Sequence, residues 1–380
     1  MKRINLPVLV TIMCLLVSLV LGLFYINQQK IKKTKTSDET KITRTDYSDI
    51  ARKTLDWIDK QRNDEGWYIL ERGCDFEAKT CDTVWDNEEG NKDGLIATWA
   101  RFNYYQQTKN PNDLEIVKSD INKFYEKYPN GVDNALWICK ITYDMYSSKL
   151  FDEEINKKLE EICFNTNFQT PEEMKNYWAN EKDTLSNSLS NKESWSDWDR
   201  YALFLRGFDA SLGYTSDFVA RYLWKQNKTS LSSVEKFLQI TKDIFELKSN
   251  DAFYPRTVHY PEDVCLVGMS VLDFYNVLGN DENLSYLEQI YEENINGLEE
   301  KEFITPICGL LSKKLYLLTG DPKYLDKLEI NNRVLDYYNR DNGNQSVLGD
   351  GVFFKSDNKN KHVFYKNVVE NGLMVELLRN

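Results

Sequence analysis

The chain has 380 residues, 41% of them hydrophobic and 13% aromatic, with Tyr, Phe and Trp distributed from Tyr47 to Tyr365; this excludes a disordered chain and describes a packed globular one. The net charge is -12, but the first 45 residues hold eight Lys or Arg against two acids, leaving -18 on the remainder. A body that acidic repels nucleic acid, which is excluded as a partner.

A short tail, residues 1–7, contains Lys2 and Arg3 and precedes nineteen uncharged residues from Val8 to Ile26. That length crosses about 30 Å of hydrocarbon as a helix. The segment ends in Leu23, Phe24, Tyr25 and Ile26, too bulky for a signal-peptide cleavage site. A retained signal-anchor in a lipid bilayer is therefore predicted. Residues 27–46 form a polar linker whose Lys30, Lys32, Lys33 and Lys35 belong among phosphate headgroups. Counting these charges alone places the following domain inside the cell. A seven-residue tail before one anchor and a large domain is instead the layout of an exported, tethered protein, and an extracytoplasmic domain is expected.

From residue 47 to 380 apolar residues recur at helical spacing, and long strand-like alternation is nearly absent. Six segments are amphipathic, near 47–61, 113–128, 152–163, 232–247, 283–298 and 323–339. Between them lie six segments apolar on more than one face, opening at Asp93-Gly-Leu-Ile, Asp133-Asn-Ala-Leu, Asp199-Arg-Tyr-Ala, Glu262-Asp-Val-Cys, Thr305-Pro-Ile-Cys and Glu370-Asn-Gly-Leu. Strict alternation of six outer and six inner helices predicts an all-α domain, an (α/α)6 toroid of six helical hairpins. An open repeat array expects a constant period, whereas the inner starts here are irregularly spaced.

Long connections lead from outer to inner helices at 62–92, 164–198, 248–261 and 340–366, while return connections are short. The exception is 213–231, where an extra short helix is expected. Long loops not needed for closure are usually functional, and these gather where the inner helices begin. Of six cysteines beyond the anchor, Cys139, Cys265 and Cys308 fall in apolar helical stretches and read as buried thiols. Cys74 and Cys81 flank a polar loop; they are open to a disulfide if the domain is outside, or to two free thiols.

This pattern resembles the six-hairpin glycosidase-like superfamily of α/α toroids over residues 47–380. Asp64-Glu-Gly-Trp after the first outer helix, Thr319-Gly-Asp-Pro-Lys-Tyr-Leu between hairpins and Asp350-Gly-Val-Phe before the last inner helix fit it too. The resemblance implies a carbohydrate partner bound in the mouth formed by the inner-helix starts, and glycoside hydrolase or polysaccharide lyase chemistry. No family's catalytic pair maps onto the chain.

Glycoside hydrolysis uses two carboxylates across the scissile bond. Asp93, Asp133, Asp199, Asp263 and Glu370 would all approach the mouth, with the loop acids Asp86 and Asp197 behind them. Asp at a helix start is also a common N-cap, so each residue singly has a structural reading. Flat aromatic faces for sugar come from Trp67, Trp85, Trp178, Trp195 and Trp198, the last two in Ser194-Trp-Ser-Asp-Trp-Asp-Arg; each is equally a core residue type. Arg256, His259 and Tyr260 in one loop supply the groups of a lyase. Two His residues and no Cys-x-x-Cys make a zinc centre implausible, and no metal or cofactor is expected. A membrane-tethered glycoside hydrolase is the leading reading; a non-catalytic glycan-binding or scaffold toroid, or a lyase, is the alternative.

Overall fold

The computed structural model describes residues 48–69, 71–75, 80–85, 94–132, 137–168, 214–224, 230–249, 261–295, 306–325, 355–356 and 363–378, with the single residues 92, 172, 173, 176 and 180. The chain separates into Met1–Asp46 and Tyr47–Asn380. The expected anchor and linker lie outside the described residues. Among the described residues no helix is long and apolar enough to cross a membrane.

Helices α1 (Ser48–Asp59), α3 (Pro111–Lys127), α5 (Glu153–Asn165), α7 (Leu231–Ser249) and α9 (Asp281–Asn294) are the outer members. Each buries one stripe: α3 hides Val117, Ile121 and Phe124 and turns Glu115 and Lys118 outward. Three of them start from local sequence. The side chains of Asn110, Asp152 and Asn280 accept from the backbone N–H groups of Asn112, Ile155 and Glu282, satisfying donors that a helix start leaves free.

The inner helices are α2 (Leu95–Thr108), α4 (Ile138–Ser147), α6 (Tyr214–Trp224), α8 (Pro261–Leu278), α10 (Pro306–Thr319) and α11 (Val368–Leu378). They are buried nearly all round; in α8 the run Val264 to Leu272 contains no exposed residue. Each packs on the next, α2 on α4, α4 on α6, α6 on α8, α8 on α10 and α10 on α11, and α11 packs on α2 to close the ring. Short turns such as Lys109-Asn110 and Gly279-Asn280 make each outer neighbour antiparallel, so the inner helices all run one way. Closure brings α11 and α2 together backbone to backbone. A Cβ added at Gly372 would stand 3.2 Å from Ala97 Cα, tighter than ordinary contact.

The alternation of hairpins and the helical character of the domain therefore hold, with two corrections. The third inner position is filled by Tyr214–Trp224, inside the segment read as a return connection with an extra helix; the expected start at Asp199 lies outside the described residues. The reason is compositional: Val219 and Ala220 bury on α6, but the helix also holds Asp217 and Arg221, which weaken the apolar signal. The second correction concerns the thiols. Cys139 of α4 is bonded to Cys163 of α5, with Cα atoms 4.6 Å apart, and Cys265 of α8 to Cys308 of α10, 5.1 Å apart. Both pairs are buried, so the apolar surroundings were legible and the pairing was not.

A small antiparallel sheet is added to the helices. Strands β1 (Glu71–Asp75) and β2 (Thr80–Trp85) form a hairpin between α1 and α2; β3 (Lys355–Ser356) and β4 (Val363–Asn367) precede α11, and the order is β2-β1-β4-β3. Since β4 runs directly into α11, the sheet lies at the end of the ring where inner helices begin, joining the first hairpin to the last. Glu71-Arg-Gly-Cys-Asp has no strand pattern of its own; pairing to β2 and β4 on both sides makes it a strand.

Candidate functional site

The end of the ring where the inner helices begin receives the outer-to-inner connections and the sheet, and it carries the positive ends of the inner-helix dipoles. Two inner helices arrive there without caps of their own. The cap position of α2 is Gly94 and that of α4 is Trp137, neither making a side-chain cap bond.

For α4 the missing cap comes from another helix. Asp217, in the first turn of α6, accepts from the backbone N–H of Lys140 at 3.0 Å through Oδ1. Its other oxygen is buried without a hydrogen-bond partner among the described residues. Burial pushes this carboxyl up to about 7, against the pull of the Lys140 and Cys139 N–H groups and of Arg221. An aspartate titrates near 3.9 when unfolded, so the native state holds the extra proton between that value and about 7. Its contribution is present in full below the unfolded value and is lost as pH rises through the folded one. Urea unfolding at pH 5 and pH 8 should show Asp217→Asn gaining on the native chain at the higher pH; an unchanged difference would contradict the assignment.

Toward the other end the ring encloses a polar cluster drawn from five inner helices. Lys140 Nζ donates to both oxygens of Asp273 at 2.8 Å, across α6. Trp99 Nε1 donates to Asp144 Oδ2 at 3.2 Å, and Asn103 Nδ2 to Glu376 Oε2 at 3.0 Å. Lys313 Nζ donates to the carbonyls of Glu376 and Leu377 in the last turn of α11. A cavity of about 330 Å³ lies beside Lys140, Tyr143, Asp144, Asp273 and Asn276, walled by Val219, Leu223 and Val277. Burial acts to lower the Lys140 ammonium, but Asp273 and Asp144 outweigh it and hold it above its ordinary range. Such a group stays protonated at neutral pH and positions carboxylates; it is no general base. Burial also raises Asp144, which Lys140 partly offsets.

Of the residues singled out in the sequence, Asp93, Asp133, Asp199, Trp195, Trp198, Arg256, His259 and Tyr260 lie outside the described residues. Asp263 and Glu370 are each third in an inner helix, α8 and α11, and Trp85 ends β2; their side chains also lie outside the described part. Trp67 is core, 2% exposed and packed on Tyr68 and Phe124. Sequence reasoning missed Lys140, Asp144, Asp217, Asp273 and Glu376. The signal was available: ionisable residues inside otherwise apolar inner helices need polar partners, and Lys140 finds its hydrogen-bonding carboxylate on another helix, at Asp273.

No family model matches the chain, and no curated protein does. Among solved structures it is similar to the Lin0763 protein from Listeria innocua, at 12% identity over 88% of this chain and 96% of that one, with a TM-score of 0.52. It is also similar to a family 76 glycoside hydrolase from a bovine Bacteroides thetaiotaomicron strain, at 12% identity over 88% and 77%, with a TM-score of 0.50. The likeness is one of fold. The α/α toroid expected from the helix alternation is thereby shown as an architecture, independently of any sequence match.

Proposed function

We propose that this domain hydrolyses a carbohydrate at the end of the ring where the inner helices begin, with two of Asp93, Asp133, Asp199, Asp263 and Glu370 as acid and base. The observation that supports it most is the closed ring of six parallel inner helices with long connections and a sheet at one end, a fold shared with a glycoside hydrolase. Inverting hydrolysis needs carboxyl groups about 6.5–9.5 Å apart and retaining hydrolysis about 5–5.5 Å. Trp85, Trp195 and Trp198 would offer faces for the sugar ring, and Arg256, His259 and Tyr260 further polar contacts.

The test is turnover of glycans by the full chain. Asp93→Asn, Asp133→Asn, Asp199→Asn, Asp263→Asn and Glu370→Gln should each be assayed, and at least two of these five carboxylate variants should lose 10²-fold or more if they serve as acid or base. Glycan binding with no turnover, unaffected by all five variants, would assign a non-catalytic binding toroid. Unsaturated products absorbing in the ultraviolet would assign a lyase.

We also infer that Val8–Ile26 anchors the domain in a bilayer through the basic linker Asn27 to Asp46, with the domain extracytoplasmic. The two disulfides support that side, because such bonds persist in oxidising compartments. Alkaline carbonate washing should leave the full chain in the membrane pellet and release a chain that starts at Tyr47; release of both would remove the anchor.

A further inference from the structure

We propose that Cys74 and Cys81 form a third disulfide, which staples the β1–β2 hairpin at the end of the ring where the inner helices begin and leaves no free thiol in the domain. The sheet register carries this. In the antiparallel pair, Cys74 stands directly opposite Cys81, flanked by Gly73 opposite Asp82 and Asp75 opposite Thr80. Directly opposed residues share one face of a sheet with Cα atoms about 4.5–5.5 Å apart. A disulfide spans Cα separations of about 4.4–6.8 Å, so the backbone needs no rearrangement.

The register is held from two sides. On its other edge β1 pairs with β4, setting Cys74 opposite Phe364 and Gly73 opposite Tyr365. A slip of one residue would turn one cysteine to the opposite face and disrupt two ladders at once. The remaining four cysteines of the domain are bonded in the pairs Cys139–Cys163 and Cys265–Cys308. A compartment that oxidises those pairs oxidises two thiols held opposite each other as well.

In forming the bond each thiol gives up its proton and the two sulfurs join. The two electrons pass to the disulfide of a thiol–disulfide exchange protein, which is reduced to its dithiol. The product ties β2, the strand ending at Trp85, to the strand whose other neighbour leads into α11. The inference does not depend on glycan hydrolysis and stands whether or not the domain is an enzyme.

The experiment uses the full chain from the membrane fraction, quenched with N-ethylmaleimide under denaturing conditions and digested with trypsin without reductant. Lys79 lies between the two cysteines, so Gly73–Lys79 and Thr80–Lys92 should appear as one joined, unalkylated species, and should separate and accept the label only after reduction. Alkylation of both peptides with the other two pairs joined would overturn the third disulfide. Either cysteine joined to a different partner would overturn it too. Alkylation of all six cysteines would overturn it together with the oxidising compartment.

Discussion

Asp113→Ala is expected to destabilise the domain by roughly 3–5 kcal/mol, the cost of breaking a buried ion pair from one side. Arg101 on α2 is fully buried and donates to Asp113 Oδ1 at 2.7 Å, to Asp59 Oδ1 at 2.6 Å and to the Leu55 carbonyl at 3.3 Å. Asp113, on α3, is itself 1% exposed and also accepts from Arg52 Nη1 at 2.9 and 3.1 Å. One carboxylate thus joins the first three helices. Truncating it leaves the Arg101 guanidinium in the core with Asp59, which is 31% exposed, as its remaining acid, and that charge has no route to water. The double variant Asp113→Ala/Arg101→Met, which also removes the buried charge left with Asp59 alone, should recover part of the loss. Urea unfolding of the three proteins measures both effects. A loss below about 1 kcal/mol for Asp113→Ala would show that the network behaves as an exposed ion pair does.

Breaking the disulfide between α8 and α10 should have an effect of similar size. Cys265 and Cys308 are 43 residues apart in sequence, and closing a loop of that length restricts the unfolded chain by about 4 kcal/mol in the chain-entropy account. The Cys139–Cys163 link, with a separation of 24, is worth about 3.5 kcal/mol on the same basis. The first joins two neighbouring inner helices and the second an inner helix to its outer cover, so they fix different layers. Cys265→Ala/Cys308→Ala should lower the urea midpoint, and reductant should lower that of the native chain at least as far. A midpoint unmoved by reductant would mean that the bond is not formed in the mature protein.

The buried network on the first hairpin shows how much of such energetics is hidden from sequence. Arg62 donates to Asp120 at 2.7 Å and to the Tyr68 hydroxyl, and Tyr68 donates to Asp120 at 2.6 Å. Burial, with the Asp120 charge beside it, drives the Tyr68 hydroxyl well above the ordinary phenol range. Asp64-Glu-Gly-Trp, noted in the sequence as a piece fitting the toroid, is the turn that delivers Trp67 and Tyr68 to this cluster. Gly66 adopts a positive φ of 77° there, which favours glycine. A feature that read as a possible sugar platform is a packing device.

What the sequence determined by itself is the local part of the design. Amphipathic and fully apolar helices alternate because burial on one stripe or on all sides leaves a periodic trace within each segment, as in Val117, Ile121 and Phe124 against Val264 through Leu272. That alternation, with loop lengths, was enough for a ring of hairpins and for the end of the ring at which the long connections gather. Tertiary structure decided whatever depends on residues far apart in the chain. Lys140 meets Asp273 133 residues away, and Asn103 meets Glu376 across 273. The pairing of Cys139 with Cys163 and of Cys265 with Cys308, the strand character of Glu71–Asp75, and the place of Tyr214–Trp224 in the inner ring were likewise settled by tertiary contacts. A charged residue in an apolar helix announces that a partner is needed, because burying it alone is too costly, but only the closed ring brings the partner to it.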